Sequence, residues 1–73
     1  MEICGWTLVA HAWRTEAGGY QPVILATLDK NSLVRAHSLE AFRATTEAEA
    51  LDIAKRAIRQ VVGVNEHGDL RFM

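Results

Sequence analysis

Residues 46–63 read TEAEALDIAKRAIRQVVG, and the fold turns on how that stretch is read. Ala50, Leu51, Ile53, Ala54, Ala57, Ile58, Val61 and Val62 recur at helical spacing. At about 100° per residue they cover roughly half a cylinder, wider than a coiled-coil seam. Glu49, Asp52, Lys55, Arg56, Arg59 and Gln60 take the other side. Thr46 can cap the first turn with its hydroxyl, and Glu49, three residues on, completes a capping box. Gly63, just past the last apolar residue, suits an αL closure. Acids lead and bases follow, as the helix macrodipole favours, and Asp52 with Arg56 makes an i,i+4 pair. The stretch predicts one amphipathic helix over 46–62, whose broad apolar stripe needs a sheet to cover it.

The preceding residues supply that sheet. Over 3–14, Trp6, Leu8, Ala10 and Ala12 alternate with Thr7, Val9, His11 and Trp13, a strand pattern that is apolar on both sides. Gly18-Gly19 breaks it with a hairpin loop. Residues 20–28 form a second strand centred on Val23-Ile24-Leu25, with Pro22 near its start or on an unpaired edge. Asp29-Lys30-Asn31-Ser32 is a turn. A third strand is expected over 33–44, with a bulge near His37-Ser38 that puts Leu39 on the buried side and leaves Arg35 and Arg43 in water. After Gly63 the tail, 64–73, holds the polar turn Asn65–Asp69 and then Leu70-Arg71-Phe72, a short extra strand or a flexible end. Short connections favour antiparallel neighbours. The expectation is one α+β domain over 1–73. It is a three-stranded antiparallel meander (3–14, 20–28, 33–44) with the helix 46–62 on one face.

An apolar fraction of 49% and a charged fraction of 23% argue against disorder. Eight basic and nine acidic side chains give a net charge of −1, too little to concentrate the chain on nucleic acid or anionic lipid. Thr7, His11 and Arg14 interrupt the N-terminal apolar residues before a leader or spanning length is reached, so no membrane association is expected. One cysteine, Cys4, cannot pair within the chain and points to a reducing, cytoplasmic setting.

Catalytic and metal chemistry lack their usual patterns. His11, His37, His67 and Cys4 fall at none of the short spacings of structural zinc sites. Cys4 and His11 are about 23 Å apart on an extended strand, too far for a nucleophile–base pair. No Lys-Ser/Thr follows Gly18-Gly19, so it is no phosphate loop. Glu47, Glu49 and Asp52 are expected as solvated acids of a first helical turn. The sequence therefore predicts no catalytic residue, no metal, no cofactor and no enzymatic activity.

Three strands followed by a helix resemble the double-stranded-RNA-binding domain. That family places lysines on phosphate where this chain has Thr46-Glu47-Ala48-Glu49, so the resemblance implies a fold rather than RNA binding. Gly18-Gly19-Tyr20 together with Glu49-Ala50-Leu51-Asp52-Ile53-Ala54 resembles the N-terminal domain of the HicB antitoxins, which implies a regulatory role. Gly18–Val23 followed by Phe42–Ala50 looks like small bacterial proteins of the same βββα order, and this similarity implies a fold alone.

The functional expectation comes from counting faces. One helix covers one side of a sheet that is apolar on both, and the alternation does not choose which. The uncovered side predicts a protein-interaction or assembly module, pairing with a second copy or another protein, with Trp6, Trp13, Val23 and Leu25 as candidate interface residues. The alternative is a nucleic-acid-associated regulator using Arg35, Arg43, Lys55, Arg56 and Arg59.

Overall fold

In the computed structural model, which describes residues 1–73, the chain turns back on itself at Cys4 and Gly5. Their φ values of 53° and 82° are those a two-residue type I′ hairpin requires. The expected first strand is thereby two: β1 (Glu2–Ile3) and β2 (Trp6–Arg14). Then come β3 (Tyr20–Leu28), β4 (Leu33–Ser38), α1 (Glu47–Ile58), β5 (Val61–Val64) and β6 (Leu70–Phe72). The three-stranded meander with a long helix is thus corrected. The first sheet has four antiparallel strands in the order β1-β2-β3-β4, and β5 and β6 form a second. Strand accounts for about 47% of the chain and helix for 16%.

The helix is shorter than its apolar periodicity suggested. Thr46 caps it as expected, its Oγ1 accepting from Glu49 N–H at 3.1 Å. The Glu49 carboxylate, however, accepts from Thr45 Oγ1 at 3.2 Å and so does not close the capping box. Asp52 and Arg56 pair at 2.9 Å on the exposed side. The helix ends at Ile58, and Val61–Val64 is extended. Three valines in four residues carry β-branched crowding that a helix penalises and a strand accommodates. Gly63 is consequently a strand residue paired with Arg71, outside the positive-φ region, and not an αL cap. Val62 is the bulged, exposed residue between two ladder pairs.

Cross-strand register fixes the two faces of the large sheet. Trp6 lies opposite Leu28, Leu8 opposite Ala26 and Ala10 opposite Ile24, so these share one side. That side is the core. Trp6, Leu8, Ile24 and Ala26 pack with Ile58 of α1 and with Val61 and Val64 of β5. Ala50 and Ala54 are fully buried, and their small side chains let the helix lie close on β2 and β3. Leu51 is only half-buried.

The third strand also departs from expectation. β4 runs without a bulge to Ser38, and Leu39 N–H then donates to Pro22 C=O at 2.9 Å. Pro22 has no N–H to return. The Gln21 side chain supplies the missing donor, Nε2 to Leu39 C=O at 2.6 Å, while Arg43 Nη1 donates to its Oε1. Residues 40–43 loop out, and the ladder resumes where Tyr20 and Ala44 exchange both main-chain bonds. Strand 33–44 therefore ends at Ser38, and Arg43 serves that irregularity instead of pointing freely to water.

Candidate interaction surfaces

Arg35 and His37 face the core side of the sheet, where the Asn65–Asp69 turn crosses β4. Arg35 Nη1 donates to His67 C=O at 2.6 Å, and His37 Nε2 donates to Gly68 C=O at 2.7 Å. Asn65 organises the turn, its Oδ1 accepting from the N–H groups of His67 and Asp69 at 2.9 and 3.0 Å. Gly68, buried and at φ 81°, lies flat against the Trp6 ring. The tail thus forms a hairpin with β5, and the turn seals Trp6 to 1% exposure. No sequence pattern signals this latch, because its acceptors are main-chain carbonyls some thirty positions away.

The opposite side of the sheet is open around Val9, Trp13 and Val34, while Gln21 and Val23 on it are buried. It carries the odd-numbered positions of β2 and β3 and the even-numbered positions of β4. None of these positions holds Asp, Glu, Lys or Arg. Val9, Leu25 and Ala36 form one cross-strand row. His11 and Trp13 meet edge to face at 6.3 Å. Val9 is 51% exposed, Val34 54% and Trp13 44%. Val23 is fully buried within the same face, and Leu25 is half-buried. Of the four candidate interface residues, Trp13, Val23 and Leu25 share this face. Trp6 belongs to the core side.

β4 is also a free edge. Leu39 N–H bonds to β3, so alternation puts the main-chain groups of Leu33, Arg35 and His37 inward and those of Val34, Ala36 and Ser38 outward. No strand lies beyond them. At the other margin β1 and Met1 occupy β2 as far as Leu8, which exchanges both main-chain bonds with Met1.

The five basic candidates do not converge. Arg35 is held by His67 and by Asp69 at 3.6 Å, Arg43 by Gln21, and Arg56 by Asp52. Lys55 and Arg59 flank a cleft of about 490 Å³ beside Leu8 and Ala10. A second cleft, about 520 Å³, runs between Cys4, Trp6, Lys30 and Glu66. No three His, Cys, Asp or Glu side chains gather where a metal ion could be held. No helix is long and apolar enough to cross a membrane. Comparison with protein-family models, curated proteins and solved structures gives no match.

Proposed function

We propose that this chain is a non-catalytic protein-interaction module that self-associates through its large sheet. The observation that carries the reading is the uncharged open face, with Val9, Trp13 and Val34 about half exposed in a chain that is 23% charged. A solvated sheet face ordinarily alternates polar residues outward, so a face without a charge is shaped for a partner. Only 14 of 73 residues are buried, and association would add to a core this small. The exposed, unpaired thiol of Cys4 fits a reducing compartment such as the cytoplasm. The reading assigns no nucleic-acid role, since the basic residues are dispersed and three of them are engaged.

Magnitude limits how tight the contact is. Three strands spaced by about 4.8 Å and seven residues rising about 3.3 Å each make a footprint of roughly 330 Å². A standard interface uses about 800 Å² per partner. The open face alone therefore supports only weak stacking. Sedimentation from about 10 μM to about 1 mM tests the proposal, a range set to catch micromolar-to-millimolar affinity. The average mass should climb above 8.1 kDa. Val9→Glu, which places a charge in the face without touching the core, should reduce the largest species. A constant 8.1 kDa throughout would end this reading.

A further inference from the structure

We infer that the first joint in that assembly is edge to edge: a second copy adds its β4 antiparallel to β4, with the two-fold axis passing at Ala36. This inference rests on the self-association reading and doubles the uncharged face available for stacking. Joining two sheets along β4 makes one continuous uncharged face of roughly 660 Å², close to what one side of a standard interface uses.

Three features of β4 favour a second copy there. Its outward main-chain groups, on Val34, Ala36 and Ser38, are unpaired, and none of these residues is the Pro or Lys that commonly guards an edge. Arg35, the one charge inside the strand, is turned to the core side and tied to His67 and Asp69. The strand is also self-complementary when Ala36 meets its own copy. Outward groups must meet outward groups, so even positions pair with even positions. Setting Val34 opposite the partner's Ala36 would bring Arg35 against its own copy, a like-charge pair directly across. Setting Ala36 opposite itself pairs Val34 with Ser38 and Arg35 with His37, and leaves only small side chains at the axis. The Val9–Leu25–Ala36 rows of the two copies then run into each other. Because the two-fold contact uses the same β4 edge of both copies, it closes as a dimer and does not propagate as a filament.

Directly opposed Cα atoms in such a pair lie about 5.5 Å apart, within disulfide range. In a Cys4→Ser background, Ala36→Cys should therefore oxidise to a covalent dimer much faster than Leu33→Cys, whose copies would be about 20 Å apart along the strands. Ala36→Pro removes an outward N–H that no residue of its own chain uses, so the monomer should keep its circular dichroism while its association is lost. Cross-linking no faster at position 36 than at 33, or a folded Ala36→Pro variant that associates like the parent, would overturn the edge contact and leave face-to-face association standing. A parent chain that stays at 8.1 kDa in sedimentation would remove both. Should Ala36→Pro fail to fold, the cysteine pair decides.

Discussion

Replacing Gly68 by alanine tests how the C-terminal hairpin is held. A Cβ at this position would lie 2.8 Å from Arg35 Cγ and 2.8 and 3.1 Å from two Trp6 ring atoms. The backbone, at φ 81°, costs an L-residue roughly 1–2 kcal/mol. Forcing a methyl into a closed contact adds about 1–3 kcal/mol, because the nearest atoms belong to a buried indole and to an arginine stem pinned by two partners. The sum, about 2–5 kcal/mol, is comparable with the whole net stability of a domain this small. At about 4–8 °C per kcal/mol, melting should fall by at least about 8 °C. The assay is thermal unfolding followed by circular dichroism and by Trp6 emission in a Trp13→Phe background, where Trp6 is the remaining indole. The variant should melt early, with red-shifted emission as the turn lifts from the ring. Melting within about 2 °C of the parent, with Trp6 still shielded, would refute the packing of the turn on Trp6.

Three further outcomes follow from the same geometry. Gln21→Ala strands the Leu39 carbonyl opposite a proline and frees Arg43, so urea unfolding should show a loss of about 1–3 kcal/mol. No change would mean the amide does not stand in for the proline N–H. Ile58→Ala should cost about 2–5 kcal/mol, and Leu51→Ala clearly less, because Ile58 joins the core cluster and Leu51 is half-buried. Equal costs would place the helix at a different rotation on the sheet. Retention on heparin should be lost well below physiological salt; duplex binding at micromolar affinity and about 150 mM salt would contradict the absence of a nucleic-acid role.

Much of the large sheet was readable from residue alternation. The two sets on β2 and β3 divide as their periodicity indicates, and the Thr46 cap and the Asp52–Arg56 pair stand where spacing placed them. The failures have physical causes. Cys4 is not a turn-forming residue, so the I′ turn at Cys4-Gly5 hid inside an apolar run. Val61 and Val62 continue a helical stripe as well as a strand would, and tertiary pairing with β6 decided for the strand. In β4 the apolar residues Val34 and Ala36 face the open side, while Arg35 and His37 face the core side. That inversion is stable only because carbonyls of the distant 65–69 turn satisfy their donors. The open face mixes apolar residues with Thr7, His11, Thr27 and Ser38, and Trp6 lies on the core side because alternation alone separates Trp6 from Trp13 without choosing which set the helix covers.

Residue-resolved amide exchange along β4 probes the edge pairing most directly. In the monomer the N–H groups of Arg35 and His37 are bonded to β3, and those of Val34, Ala36 and Ser38 point outward. Dilute protein should therefore show protection alternating along the strand, with Val34, Ala36 and Ser38 exchanging fast. As concentration rises, those three amides should slow together while the protection of Arg35 and His37 changes little. Fast exchange at Val34, Ala36 and Ser38 that persists undiminished at about millimolar concentration would contradict the pairing of β4 with a second copy.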